Sequence, residues 1–206
     1  MKIPGGYIIV VEGVDAVGKD TQSRMLYERL SKRRIKVTHM AFPDYETPIG
    51  KEIRAFLSGK RVYPAELQHL LFAANRWEKR EEILSHLRAG KVIIIDRYTE
   101  SNLAYGLANG LRAGWLANLE KGLPASNLVL VLDAPVRSLA ARRPDTTKDS
   151  YEKSSTLQGK AKNAYRELAR KHGWKLVEAN ESVEAVQAAL LSAVREALER
   201  DRGVTV

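Results

Sequence analysis

Along the chain, short strand-like runs alternate with longer segments in which apolar positions recur every three or four residues. The runs are Tyr7 to Val11, Lys36 to Ala41, Val92 to Ile95, Leu128 to Leu132 and Lys175 to Val177. The first, third and fourth show no polar alternation, the pattern of strands covered on both faces of a parallel sheet. Between the runs, the spacing predicts a helix from Lys19 to about Arg33 that buries Met25, Leu26 and Leu30, and a long helix from Pro64 to near Gly90. Thr47 followed by Pro48 reads as a helix cap and first helical residue. Further helices are expected from about Ser101, from Ser154 to Lys171, and from Ser182, the last burying Val183, Val186, Leu190, Val194 and Leu198. This alternation predicts an α/β protein, a three-layer α/β/α sandwich on a five-stranded parallel sheet, in one domain over residues 1–206. In such sheets ligands bind beyond the carboxyl ends of the strands, so chemistry is sought just after each apolar run.

After the first run comes Gly13-Val14-Asp15-Ala16-Val17-Gly18-Lys19-Asp20-Thr21. Its Gly-x4-Gly-Lys spacing, between a buried strand and a helix, has the context of a P-loop of the NTP hydrolase type. The glycines let successive N–H groups turn inward toward phosphate oxygens, the helix adds its positive end, and Lys19 adds a full charge. Residues 13–21 are therefore candidate ATP ligands. Asp20 stands where a Ser or Thr hydroxyl ordinarily meets Mg²⁺.

The third run ends in Asp96-Arg97-Tyr98. Asp96 is placed to organise Mg²⁺ and Arg97 to grip a phosphate with two parallel hydrogen bonds; a structural ion pair is the alternative. In the predicted long helix, Phe72 and Arg76 are four apart and share a face. They suit a nucleobase, by stacking and hydrogen bonding, or equally a core ring and a surface cap. The stretch from Asp145 to Lys153 is the most polar of the chain. It reads as a mobile lid over about 143–153, or as a solvated linker.

Composition narrows the classes. A chain of 206 residues with 44% hydrophobic content suits one domain with a substantial core. The absence of cysteine excludes disulfides, thiolate catalysis and Cys-ligated zinc. The four histidines lack metal-site spacing, and His69 alone lies near a segment of interest. No apolar run is long enough to span a bilayer and the start has no secretory core, so a cytoplasmic protein without membrane partners is expected. The net charge of +9 is spread over helical stretches, which suits small anionic substrates better than nucleic acid.

Several stretches together resemble the thymidylate kinases, which phosphorylate dTMP with ATP. They are Glu12 to Asp15, Gly18-Lys19, Thr21-Gln22, Phe42-Pro43, the whole of His69 to Glu78, Asp96-Arg97-Tyr98 with Ser101, Ala104 and Tyr105, and Tyr151-Glu152. The resemblance implies that Phe72 stacks on thymine and Arg76 hydrogen-bonds it. It further implies that Asp15 holds the sugar 3′-hydroxyl, Arg97 binds the monophosphate and Tyr105 packs against the 2′ edge. Phe42, Pro43, Tyr45, Ser101 and Tyr151 are placed around dTMP by the same resemblance. Mg²⁺ is the expected cofactor, with Asp96 at the strand end and Asp20 in the loop as its candidate ligands, and the resemblance suggests a homodimer.

Three positions depart from the family pattern. Ala16 is neutral where many relatives carry Arg, so charge for the transferring group is sought in the lid, with Lys148 preferred and Arg142 or Arg143 as alternatives. Arg143 is also a candidate to stack on the adenine of ATP. Tyr45 replaces a phosphate-gripping Arg with a phenol, which shifts load onto Arg97. Asp20 replaces the hydroxyl ligand. The expected catalytic set is Lys19, Arg97, Lys148 and Asp15. Two rivals remain: a P-loop kinase for another deoxynucleotide or for a nucleoside, the latter with Asp44 as base, and a basic DNA-binding ATPase.

Overall fold

The computed structural model describes residues 5–33, 35–135, 151 and 154–203. Five strands form one sheet: β1 (Tyr7–Gly13), β2 (Val37–Ala41), β3 (Val92–Asp96), β4 (Leu128–Asp133) and β5 (Lys175–Glu178). Their order is β2-β3-β1-β4-β5 and every pairing is parallel. The apolar runs account for this order. All residues of β1 and β3 are buried, whereas the edge strands β2 and β5 are largely half-buried or exposed. Strands covered on both faces have no reason to alternate, and edge strands do.

The helices are α1 (Lys19–Lys32), α2 (Pro48–Leu57), α3 (Ala65–Glu78), α4 (Arg80–Arg88), α5 (Thr99–Ala108), α6 (Ala113–Leu119), α7 (Ser155–His172) and α8 (Val183–Arg202). Helices α1 and α8 pack together against the sheet, as do α5 and α7. Local chemistry sets several boundaries. The Thr47 hydroxyl accepts from the Gly50 N–H at 3.0 Å with Pro48 just inside the helix, and Ser154 and Ser182 cap α7 and α8 in the same way.

Three expectations are corrected. The long helix from Pro64 to Gly90 is two helices, because at Lys79 the chain leaves helical geometry (φ −98°, ψ 3°) and its N–H bonds back three residues to the Arg76 carbonyl. The Lys79 ammonium at this break reaches Asp44 at 3.2 Å and Glu82 at 2.6 Å. In α8, Val186, Leu190, Val194 and Leu198 are buried but Val183 is 46% exposed, since it stands at the first helical position, above the buried face. Met25 of α1 is half-buried, and Gln22 and Ser23 are buried instead.

Candidate active site

The carboxyl ends of β1, β2 and β3 open into one cavity of about 580 Å³, within the usual range for a small-molecule site. It is lined by Asp15, Ala16, Gly18, Lys19, Asp20 and Thr21 from the first loop, and by Phe42, Pro43 and Tyr45 after β2. Phe72 and Arg76 from α3, Asp96 and Arg97 at the end of β3, Ser101 and Tyr105 from α5, and Tyr151 complete the wall. Every described residue expected in the site therefore borders this cavity except Gly13, Val14 and Val17, which are buried beneath the loop. Arg142, Arg143 and Lys148, and the lid apart from Tyr151, lie outside the described residues.

The loop after β1 enters α1 through Gly18 at φ 100°, a conformation that a side chain disfavours. Lys19 is buried and its ammonium donates to the Val14 carbonyl at 2.8 Å. Burial lowers its pKa to about 8, Arg97 adds to that, and Asp15, Asp96 and Glu12 oppose it. Phosphate oxygens would compete well for such a cation, because it is short of compensating charge.

Asp15 is the most heavily bonded group of the loop. Its carboxylate pairs with the Arg97 guanidinium and accepts from Tyr105 Oη at 2.9 Å and Gln158 Nε2 at 2.6 Å. Burial alone would raise its pKa, but Arg97, then Lys19 and the two hydrogen bonds, bring it below the usual value. Arg97 sits at φ 63°, a left-handed conformation costing roughly 1–2 kcal/mol for a residue with a side chain. The strain turns its guanidinium back over β1, where Nη1 donates to the Gly13 carbonyl and to Ser101 Oγ, both at 3.2 Å. Glu12, fully buried, anchors this turn by accepting from the N–H groups of Tyr98 and Ser101 and the hydroxyls of Ser101 and Tyr165.

The other end of the cavity is aromatic and polar by turns. Phe72 meets Phe56, Tyr151 and His69 edge-on at ring separations of about 6 Å. Arg76 is 3% exposed, and Glu120 fixes it by accepting from Nε at 3.1 Å and from Nη2. With one edge of the guanidinium so occupied, its remaining N–H groups offer donors alone, suited to a carbonyl oxygen on a base. The loop after β2 is set by Asn75, whose amide accepts from the Asp44 N–H and donates to Thr47 Oγ1. The Phe42–Pro43 peptide is cis. Tyr45 lies beneath the Arg54 guanidinium, 4.9 Å from ring centroid to Cζ.

The carboxylates suit a divalent cation to different degrees. Asp96 Oδ1 is buried without a hydrogen-bond partner among the described residues, and burial raises its pKa despite Lys19 and Arg97. A buried carboxylate oxygen with no such partner fits a hard divalent cation. Asp20 borders the cavity, but it is 61% exposed and its Oδ1 accepts from Arg24 Nε at 2.7 Å. No cluster of three or more His, Cys, Asp or Glu that could hold a metal occurs among the described residues.

Sequence reading missed Glu120 as the partner of Arg76 and Gln158 as the partner of Asp15, 44 and 143 residues away along the chain. It also gave no role to Asn102, which borders the cavity. Asp44, the base that a nucleoside kinase would require, does not border the cavity, and its carboxylate is held by Lys79 and the Glu46 N–H.

A phosphate-binding loop with its lysine, a strand-end arginine and an aromatic–arginine pair around one cavity define a P-loop phosphotransferase acting on a nucleotide. A family model described as thymidylate kinase matches residues 11–190. Thymidylate kinases of Dictyostelium discoideum and Homo sapiens are 37% and 36% identical to the chain, over 89% and 88% of it and 82% and 86% of their own lengths. The solved thymidylate kinase of Candida albicans superposes with a TM-score of 0.80 at 31% identity, covering 96% of this chain and 92% of its own. The chain belongs to the thymidylate kinase family and is an ATP-dependent nucleoside monophosphate kinase.

Proposed function

We propose that the cavity aligns dTMP with the γ-phosphate of ATP, so that a dTMP phosphate oxygen attacks the γ-phosphorus in line and dTDP and ADP leave. The bond from the γ-phosphorus to the bridging oxygen breaks as the new one forms. No general base is needed, because a monophosphate is already an anionic nucleophile at neutral pH. Catalysis is then positioning and charge stabilisation.

The observation that carries this reading is the single cavity joining Lys19 and Arg97 to Phe72 and Arg76. Lys19 and the loop amides hold the donor phosphates, and Arg97 holds the acceptor phosphate. Asp15 binds the sugar 3′-hydroxyl, and Tyr105, fixed to Asp15, closes the 2′ edge against a ribose. Phe72 stacks on thymine and Arg76 donates to its carbonyl, with Phe42, Pro43, Tyr45, Ser101 and Tyr151 completing the wall. Lys148, or Arg142 or Arg143 in its place, meets the charge of the moving group, and Arg143 is the alternative candidate to pack on adenine.

Mg²⁺, when bound, neutralises phosphate charge. Asp96 is the better placed of the two carboxylates to hold it, and Asp20 contributes once its contact with Arg24 opens. A cytoplasmic homodimer completes the proposal. It is supported by the exposed apolar stripe of Leu67, Leu70 and Trp77 on α3 and by the absence, among the described residues, of any helix long and apolar enough to cross a membrane.

The test is release of ADP from Mg-ATP with dTMP, dUMP, dCMP, dGMP and thymidine in parallel. The solved Candida albicans relative is described as having broad substrate specificity, so the panel includes purine and pyrimidine acceptors. Turnover highest with dTMP and absent with thymidine is expected. Turnover of thymidine without dTMP would overturn the assignment.

A further inference from the structure

His69, on α3, is fully buried and borders the cavity, yet none of the roles above uses it. Its ring nitrogens have defined partners. Nδ1 is 2.6 Å from Asn102 Oδ1, and Nε2 is 3.1 Å from Asn109 Nδ2. The Asn102 amide cannot turn around, because its Nδ2 donates to Glu120 Oε1 at 2.7 Å and to the His69 carbonyl at 3.3 Å. Nδ1 therefore carries the proton.

On the other side, Asn109 Nδ2 also donates to Tyr151 Oη at 3.2 Å. That hydroxyl donates to Gln68 Oε1 at 2.6 Å, and Gln68 Nε2 donates to the Tyr63 carbonyl at 2.6 Å. Nε2 is thus an acceptor, and the ring is neutral. Burial, the largest cause, pushes its pKa down to about 4. Every donor in the chain from Gln68 to Glu120 faces an acceptor, so the orientation of each amide depends on the next.

On either side this chain reaches a wall of the base subsite, Arg76 through Glu120 and Tyr151 directly. Glu120 is the group that orients Arg76, and Tyr151 meets the Phe72 ring edge-on at 6.0 Å. The His69 ring itself touches Phe72 at 6.0 Å. We propose that His69 is the positioning residue of the base subsite, holding Asn102, and through it Glu120 and Arg76, in register with Phe72 and Tyr151. This role rests on the reading of the cavity as the dTMP site.

Two amide variants separate the halves of the ring. In His69→Asn, the amide nitrogen takes the place of Nδ1 and keeps the bond to Asn102. In His69→Gln, the amide reaches the place of Nε2, keeps an acceptor toward Asn109 and leaves Asn102 Oδ1 without its donor. The probe is dTMP, titrated calorimetrically, with steady-state turnover measured alongside. His69→Gln is expected to raise the dTMP Kd about tenfold, the worth of one buried hydrogen bond, and His69→Asn by no more than about threefold. In both, kcat at saturating dTMP and the KM for ATP should stay within about twofold, a split that general loss of packing would not produce.

Equal effects of the two variants, or a fall in kcat at unchanged dTMP affinity, would overturn the role. Should His69→Gln not fold, Asn109→Ala tests the same network from its outer end. A dTMP Kd raised about threefold supports the role and an unchanged Kd overturns it. A wild-type protein that binds no dTMP refutes the reading of the cavity and the role together, whereas binding by the wild type with indistinguishable variants refutes the role of His69 alone.

Discussion

Glu120→Ala isolates Arg76, the arginine proposed to recognise the base. The two side chains are 4% and 11% exposed, and Glu120 receives two donors from Arg76 and one from Asn102. Removing one partner of a buried ion pair costs roughly 3–5 kcal/mol, because the other charge is left unpaired. Since Arg76 borders a cavity that water can enter, the lower figure of about 3 kcal/mol is expected, a large share of the stability of a domain of this size. Replacing both partners, as Arg76→Met with Glu120→Leu, removes charge and counter-charge together and should recover about 2 kcal/mol relative to Glu120→Ala. Asn102 loses its carboxylate acceptor in both proteins, so that term cancels. Urea unfolding of the wild type, Arg76→Met, Glu120→Leu and the double variant closes the cycle and gives the coupling, with Glu120→Ala measured beside them. Binding should follow a different order: dTMP affinity falls at least about tenfold in every variant and does not return in the double, which has no guanidinium. A double variant no more stable than Glu120→Ala, or a cost for Glu120→Ala below about 1 kcal/mol, would refute the reasoning. So would recovered dTMP affinity in the double variant.

The remaining predictions concern charge. Lys19, with its pKa depressed to about 8 in the nucleotide-free protein, should take up protons as ATP binds at pH 8 to 9. Calorimetry in buffers of different ionisation enthalpy reads this uptake, and its persistence in Lys19→Met would refute the assignment. Glu100 is buried, and that burial, then Glu12, raises its pKa from 4.5 to about 7. A folded-state pKa above the unfolded one gives stability that is present below pH 4.5 and lost as pH rises through 7, so Glu100→Gln should flatten the stability profile between those limits in denaturant titrations. Asp96→Asn should raise the Mg²⁺ concentration for half-maximal turnover at least about tenfold with dTMP affinity unmoved, while Asp20→Ala shifts it by less than about threefold. The reverse order would make Asp20 the principal ligand.

The parts of this molecule that were legible from its sequence are those written in local pattern. Strands β1, β3 and β4 announce themselves because a central parallel strand needs apolar residues on both faces, and Thr47, Ser154 and Ser182 announce helix starts because a cap acts within three residues. Phe72 and Arg76 share a face for the same local reason. Their partners carry no such signal: Glu120 and Gln158 are ordinary polar residues in sequence, and only the topology brings them to Arg76 and Asp15. The break at Lys79 is hidden likewise, since an apolar stripe continues across it and the helix divides where a lysine meets Asp44 from another loop.

This division has a functional consequence. The residues that local pattern and resemblance pick out, Lys19, Asp15, Phe72, Arg76 and Arg97, are those expected to touch nucleotides. The ones given no role by that pattern, Glu12, Gln158, Glu120 and His69, are buried or half-buried groups that aim them. A charged side chain at the mouth of a sheet is disposed toward many partners, and each of these hidden groups removes alternatives by occupying one edge of the residue it holds. Arg76 held by Glu120 can offer only donors to a base, and Asp15 held by Arg97, Tyr105 and Gln158 keeps its negative charge beside the acceptor site. In the proposed site, substrate choice therefore rests as much on which edges of the contacting residues are already occupied as on which residues are present.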